Sequence, residues 1–156
     1  MDLEEKPKGK LRTGFTTGTS ATAASTAAIL SIINQKRIES VDVLLPKRDK
    51  IKISINACKF DKNKARCSVI KDGGDDPDVT HGAEIVVDLE LTSKPESIEI
   101  DGGEGVGRVT KPGIGLDVGQ AAINPTPRKM ITENLIQVGK KILEKNGIKV
   151  MISVPK

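Results

Sequence analysis

Aromatic side chains are almost absent from this 156-residue sequence. It contains two phenylalanines, Phe15 and Phe60, and no tryptophan or tyrosine. Proteins that bind single-stranded nucleic acid stack its bases on aromatic rings, so this class of partner is disfavoured.

The basic excess is also small, with 25 basic against 21 acidic residues spread along the chain. A footprint on a phosphate backbone is therefore not compelling. The same charge would suit a small polyanionic ligand, and an ordinary lysine-coated surface is the simplest interpretation.

Cysteine and long apolar runs are scarce as well. The two cysteines, Cys58 and Cys67, fall near or within predicted strands and lack the spacing of a metal site. We find no signal-peptide pattern, and no apolar run approaches the ~20 residues of a membrane-spanning helix. We therefore expect a cytoplasmic protein in which both thiols are free.

The common catalytic signatures are missing too. The sequence has no serine nucleophile elbow, no phosphate-loop lysine, no CxxC and no HExxH. At 156 residues we expect one domain, able to bury ~70% of the surface of its unfolded chain. Function must then be sought in loops rather than in a short catalytic motif.

Apolar periodicity predicts two helices and several strands. An alanine-rich helix should begin at Thr19 or Ser20, either of which can serve as its N-cap. A second helix should open at residues 124–128 and end at Gly147. The predicted strands are residues 41–45, 51–55, 65–70, 84–91, 97–100 and 148–154. Because residues 1–10 are charged and unpatterned, we expect a disordered terminus there and a single α+β domain over 11–156.

Three glycine-rich stretches connect these elements: residues 13–19, 71–82 and 102–107. The first precedes a helix, where free N–H groups would suit an anion or simply pack a tight helix entry. The second, KDGGDDPDVTHG, holds four aspartates and the only histidine. Its carboxylates could cap turns, the common structural use, or bind a metal, although their order does not match an EF-hand. The histidine could be structural or an acid/base. Together the three stretches favour one shared small-ligand pocket, with no metal.

The third stretch imitates a nucleotide-binding loop. The segment DGGEGVG follows a predicted strand, but a Rossmann loop needs a helix directly behind its glycines. Here RVTKPGIGLDVG follows, and it cannot start a helix of useful length. We therefore do not expect a Rossmann fold. The stretch is either a backbone that approaches a ligand closely or a strained turn.

Five segments carry a resemblance to a known family. LRTGFTTGTSATAA, KDGGDDPDVTHGA, IDGGEGVGRVTKPGIG, AINPTPR and the terminal MISVPK resemble, in this order and spacing, the CbiD family of cobalt-precorrin-5B C-1 methyltransferases. The resemblance runs from about Leu11 to the last residue. Two positions depart from the family pattern: Ser20 stands where cysteine is usual, and Gly73 where alanine is usual. Because family members continue past the ISVP segment, the resemblance implies the N-terminal domain of a longer, two-domain enzyme.

The resemblance implies a function and a fold. Family enzymes transfer a methyl group from S-adenosylmethionine to C-1 of cobalt-precorrin-5B, giving cobalt-precorrin-6A in anaerobic cobalamin biosynthesis. Cobalt enters only as part of the substrate. The alternatives are a non-catalytic module that binds a tetrapyrrole or adenosyl ligand, and an inactive fragment. The implied fold is a mixed, mainly antiparallel sheet with two helices on one face, in the layout of ribosomal-protein and GHMP-kinase domains. Expected partners are the substrate and the enzyme's second domain, with no nucleic acid or membrane and the homo-oligomeric state left open.

Motif position and chemistry together suggest the site residues. Methyl transfer by displacement needs the two reactants aligned and water excluded. We predict Asp75, Asp76 and His81 as catalytic residues. The residues predicted to bind the substrate or S-adenosylmethionine are Thr16, Thr17, Gly18, Thr19, Asp72, Gly74, Asp78, Gly103, Glu104, Gly105, Lys111, Asn124 and Arg128.

Overall fold

A computed structural model describes residues 17–45, 49–70, 83–103 and 125–155. Within these ranges the chain forms two helices and seven strands. In order they are α1 (Thr17–Asn34), β1 (Ser40–Leu44), β2 (Lys50–Ser54), β3 (Ala57–Phe60), β4 (Lys64–Ile70), β5 (Glu84–Thr92), β6 (Ile98–Gly102), α2 (Pro125–Leu143) and β7 (Gly147–Ser153). The terminus predicted to be disordered, 1–10, lies outside the described residues.

Five strands form one sheet in the order β3-β4-β5-β7-β6. Its neighbouring strands are antiparallel except β6 and β7, which are parallel. A parallel pair needs a crossover connection, and α2 lies in the segment that joins β6 to β7. β1 and β2 pair separately as an antiparallel hairpin. The predicted mixed, mainly antiparallel sheet is therefore confirmed, and the described fold is not a Rossmann fold. The layout of ribosomal-protein and GHMP-kinase domains stays a prediction.

The core lies between one face of this sheet and the two helices. Side chains alternate across a sheet, and one set of alternating residues in the central strands is buried. Cys67, Val87 and Ile152, for example, lie side by side across β4, β5 and β7. Ile131 and Leu135 of α2 are buried in the same apolar cluster. The sheet is thus covered on this one face, as predicted.

Helix α1 is buried along most of its length. Thirteen of its 18 residues are buried, and most of these are alanine, serine or threonine. Short side chains let a helix lie close to its neighbours, and their hydroxyls must then find partners inside the protein. Three of them bond to the carbonyl of the preceding turn: Thr22 to Gly18, Ser25 to Ala21 and Thr26 to Thr22, each at 2.8 Å. Neither described helix is long and apolar enough to cross a membrane.

The structure corrects two predicted helix boundaries and adds one strand. α1 begins at Thr17, so Thr19 and Ser20 lie inside its first turn and are not its N-cap. α2 ends at Leu143 rather than at Gly147, because the carbonyl of Leu143 accepts the N–H of Glu96 at 2.9 Å. The short strand β3 was not predicted, since its four residues show no clear alternation.

One buried side chain joins the β1–β2 hairpin to α2. Asn134 is 3% exposed, and its Oδ1 accepts the N–H of Leu44 at 3.0 Å. Its Nδ2 donates to the carbonyls of Leu44 at 3.1 Å and Met130 at 2.8 Å. The amide matches both backbone groups of Leu44, which is possible only for a side chain with a donor and an acceptor.

We expect Asn134→Ala to lower the free energy of unfolding by about 2 kcal/mol, because it leaves half-buried backbone groups of Leu44 without their partner. Gln137→Ala is the control, since Gln137 is exposed on the same helix and should change stability by less than about 0.5 kcal/mol. Chemical denaturation measures both. Equal losses in the two variants would show that the bridge does not stabilise the hairpin.

Candidate functional site

The second and third glycine-rich stretches are joined to the same end of the five-stranded sheet. β4 ends at Ile70, which pairs with Glu84 at the start of β5. The last residue of β6, Gly102, pairs with Ile152 near the end of β7. Because β5 and β7 are antiparallel, the end of β7 lies beside the start of β5. We call this edge, where β4, β6 and β7 end and β5 begins, the loop end of the sheet.

Both helices start towards the loop end. In the first turn of α2, Arg128 donates from Nη1 to the carbonyl of Ile100 in the last part of β6, at 3.2 Å. A Cβ atom added at Gly18, in the first turn of α1, would lie 3.0 Å from the ring atoms Cβ and Cγ of Pro127. The two helix starts are therefore in contact, and glycine at 18 permits this close approach.

The C-terminal end of α1 confirms this direction for that helix. Gln35, just after α1, has a left-handed φ of 52°, and its Nε2 donates to the carbonyl of Asp61 in the β3–β4 turn at 3.2 Å. That turn is at the opposite end of the sheet from Ile70. The N-terminal ends of both helices consequently face the loop end. Two aligned helix dipoles make this end favourable for anions.

Ser20 carries a buried hydroxyl without a partner. Its Oγ makes no hydrogen bond within the described structure, although the residue is fully buried in the first turn of α1. The nearby hydroxyls of Thr22 and Ser25 both bond to helix carbonyls. An unsatisfied buried hydroxyl costs about 1–3 kcal/mol. The thiol that the family resemblance places at this position would cost less, because cysteine behaves as a small apolar side chain.

The structure brings together five of the predicted site residues. Thr17 is exposed at the start of α1, Gly18 contacts the start of α2, and Thr19 is buried. Arg128 is half-buried beside β6. The N–H of Gly103 donates to the carbonyl of Ile152 at 2.7 Å, which extends the β6–β7 ladder.

The other eleven predicted site residues belong to segments for which the structure describes only the neighbouring strands and helices. They lie outside the described ranges and are Thr16, Asp72, Gly74, Asp75, Asp76, Asp78, His81, Glu104, Gly105, Lys111 and Asn124. The described strands and helices show where their segments are attached, and a common pocket for the three stretches stays a prediction.

Two serines at the loop end were not among the site residues predicted from the sequence. Ser68 and Ser153 both pair with Val86 across β4, β5 and β7, on the face away from the helices. Both are buried. A Cβ atom at Gly103 would come within 2.6 Å of Ser153 Oγ, so glycine at 103 leaves room for this hydroxyl. The sequence signal for these two serines is their position on the polar side of the strand alternation. Ordinary surface serines share that position, so the signal does not identify a site.

No group of three or more histidine, cysteine, aspartate or glutamate side chains in the described part of the chain could hold a metal ion. The four aspartates of the acidic stretch are not in that part. A groove of about 470 Å³ lies on the face of the sheet away from the helices. It contains the pairs Arg66–Asp88 at 3.2 Å and Lys64–Glu90 at 3.8 Å. Such exposed pairs contribute little to stability or specificity, and we assign no site there.

Comparison with known proteins identifies relatives along the whole described fold. A family model described as CbiD matches residues 4–156. Cobalt-precorrin-5B C(1)-methyltransferases match from Geobacillus kaustophilus, with 47% identity over 95% of this chain, and from Priestia megaterium, with 45% identity over 99%. These alignments cover 40% and 41% of the relatives, so the chain spans about two-fifths of the length of the curated relatives it matches. A crystal structure of the cobalamin biosynthesis protein CbiD from Archaeoglobus fulgidus matches with a TM-score of 0.60 and 30% identity, covering 91% of this chain and 44% of that chain.

We expect Ser20→Cys to raise the free energy of unfolding by about 1 kcal/mol, because it removes a buried hydroxyl that has no partner. Ser25→Cys is the matched control: Ser25 is equally buried in α1, but its hydroxyl bonds to Ala21. Thermal and chemical denaturation should show stabilisation only for the first variant. An equal effect of both substitutions would mean that the missing partner at Ser20 has no energetic consequence.

Proposed function

The chain belongs to the CbiD family, and we propose that it is the N-terminal domain of a cytoplasmic methyltransferase that uses S-adenosylmethionine to methylate C-1 of cobalt-precorrin-5B. The observation that carries this proposal is the match of residues 4–156 to the family model, together with relatives of that name at up to 47% identity. The relatives are about two and a half times as long as the matched segment. We therefore assign this chain one wall of the active site and the remainder to a second domain.

The loop end suits the methyl acceptor. A precorrin carries several acetate and propionate groups, so its periphery is a ring of carboxylates. The positive ends of the α1 and α2 dipoles point towards this end. Arg128 lies beside these helix starts, and its guanidinium donates to the carbonyl of Ile100. A planar guanidinium can bind one carboxylate through two parallel hydrogen bonds. These features support an anion-binding surface that holds the macrocycle by its edge.

In the proposed methyl transfer, the main role of the side chains is to position the two reactants. A carbon of the electron-rich macrocycle attacks the methyl carbon of the sulfonium. The bond from methyl to sulfur breaks, and sulfur keeps the electron pair. No covalent enzyme intermediate is needed, and the rate gain comes from alignment and from exclusion of water. We assign Asp75, Asp76 and Glu104 to the donor, where carboxylates can accept the ribose hydroxyls or face the sulfonium charge, and His81 to proton transfer.

The test is methyl transfer under anaerobic conditions, with S-adenosylmethionine and cobalt-precorrin-5B. We expect the polypeptide of the whole reading frame to form the methylated product. The 156-residue chain should bind the acceptor, as measured by its absorption spectrum or by calorimetry, without turnover. A full-length protein that forms no product refutes the methyltransferase proposal. An isolated chain that binds no tetrapyrrole refutes the assignment of the acceptor to this domain.

Asp75→Ala and Asp76→Ala should each reduce the kcat/KM of the full-length enzyme by about 100-fold or more, because they remove charges placed at the reacting groups. The melting temperature should change by less than about 2 °C. Asp49→Ala is the control, since Asp49 is an exposed aspartate beside the β1–β2 connection. If either site variant mainly unfolds the protein, that aspartate caps a turn instead.

Arg128→Ala should weaken acceptor binding by about 10-fold or more, since a charge-assisted hydrogen bond contributes about 1.5–3 kcal/mol. Lys129→Ala, next to it and exposed, should change the Kd by less than about twofold. Because Arg128 also bonds to Ile100, the melting temperature of each variant must be measured alongside. Unchanged binding by a folded Arg128→Ala protein would remove this residue from the site.

A further inference from the structure

We propose that Cys58 and Cys67 form a paired dithiol that closes to an intramolecular disulfide when a hydroperoxide or a small-molecule disulfide oxidises the protein. This modification site is separate from the proposed methyl transfer and does not depend on it. It lies at the edge of the sheet where β3 pairs with β4.

The two cysteines are directly opposite each other in the antiparallel β3–β4 ladder. The N–H of Asp61 donates to the carbonyl of Lys64 at 2.7 Å, which makes residues 61 and 64 a hydrogen-bonded pair. Hydrogen-bonded and non-hydrogen-bonded pairs alternate along such a ladder. Along the ladder from this pair, the backbones of Lys59 and Arg66 are hydrogen-bonded to each other. The backbones of Cys58 and Cys67 are not hydrogen-bonded to each other.

A non-hydrogen-bonded pair is the position at which two cysteines can be bridged with little backbone movement. Its Cα atoms are about 4.5 Å apart and its side chains are at their closest. Disulfides accept Cα separations of about 4.4–6.8 Å and need Cβ separations of about 3.5–4.5 Å, and the Cβ atoms of a non-hydrogen-bonded pair are closer than those of a hydrogen-bonded pair. The register therefore places Cys58 and Cys67 within the range of a bond before any oxidation occurs.

The two thiols differ in access, which sets the order of reaction. Cys67 is fully buried and Cys58 is half-buried on an edge strand. Burial raises the pKa of the Cys67 thiol, and so does its hydrogen bond with the thiol of Cys58. Cys58 is accordingly the thiol that an oxidant reaches first, and Cys67 is the thiol that closes the ring.

The reaction balances with a hydroperoxide as the oxidant. The Cys58 thiolate attacks the terminal peroxide oxygen, the O–O bond breaks, and the leaving oxygen takes up a proton, which leaves a sulfenic acid on Cys58. The sulfur of Cys67 then attacks the sulfur of Cys58. The S–O bond breaks, and the hydroxide leaves as water with the proton from Cys67. With hydrogen peroxide, two thiols give one disulfide and two waters.

The disulfide would fasten an edge strand to the interior of the sheet. β3 has a single neighbour in the five-stranded sheet, and edge elements are among the first to open locally. A bond from Cys58 to Cys67 closes a short loop around the β3–β4 turn and restricts the unfolded chain. Oxidation should consequently stabilise the fold rather than disrupt it.

The decisive measurement is the effective concentration of one thiol towards the other in a buffer of reduced and oxidised glutathione. It is measured for the folded chain and again in concentrated guanidinium chloride. We expect the folded value to exceed the unfolded value by about tenfold or more, because the sheet already holds the pair in place. The product should be a monomer lighter by two hydrogen atoms, with a melting temperature several degrees higher than that of the reduced chain.

Two variants make the test specific. In Cys58→Ser, Cys67 should stay reduced under the same conditions because it is buried. In a Cys58→Ala/Cys67→Ala background, Lys59→Cys with Arg66→Cys moves the pair by one residue to a hydrogen-bonded position, and it should close less readily. The proposal is overturned if the folded effective concentration does not exceed the unfolded one, if oxidation gives a glutathione adduct or a linked dimer instead, or if the shifted pair closes equally well.

Discussion

The close packing of α1 between the sheet and α2 is the constraint on which the rest of this structure depends. A helix that is buried on nearly every side cannot present large residues or charges without displacing its neighbours. Its sequence from Thr17 to Ile29 accordingly consists of small side chains until the single isoleucine. Three of the six hydroxyls in this stretch bond to carbonyls of the helix itself. Small residues therefore allow both burial and polarity in the same element.

This packing also determines the shape of the candidate site. Because Gly18 has no side chain, Pro127 can approach α1, and the second helix starts beside the first. Arg128 then lies within hydrogen-bonding distance of β6. Two helix starts and one guanidinium thus share the end of the sheet to which two glycine-rich stretches are attached. The site surface is a consequence of helix packing more than of any single motif.

Much of this fold could be predicted from the sequence, and the remainder depends on contacts between distant residues. Strands such as β5 are long and apolar, so their existence follows from local pattern. The start of α1 was placed too late because Thr17 and Gly18 look like a turn. The parallel pairing of β6 with β7 could not be predicted, since it joins residues about 50 positions apart. Spacing alone did not show that Cys58 faces Cys67, because their opposition depends on the register of a strand that was missed. Of the candidate site, the described residues show that α1, β6 and α2 meet at the loop end, and the role of the glycine-rich stretches attached there stays a prediction.

The lack of a familiar catalytic motif fits a reaction governed by placement. Methyl transfer from a sulfonium requires no nucleophile on the protein and no strained serine or paired cysteine, whereas it is sensitive to the position of both reactants. Helices and strands position site residues more precisely than loops do, so a loop gains precision from the rigid elements at its two ends. The acidic stretch is held in this way, because Ile70 and Glu84 on its two sides pair directly with each other. The stretch after β6 is likewise fixed at its start by the bond from Gly103 to Ile152. A short catalytic signature would have been easier to find in the sequence, whereas the proposed methyl transfer depends on a sheet that fixes where its loops begin and end.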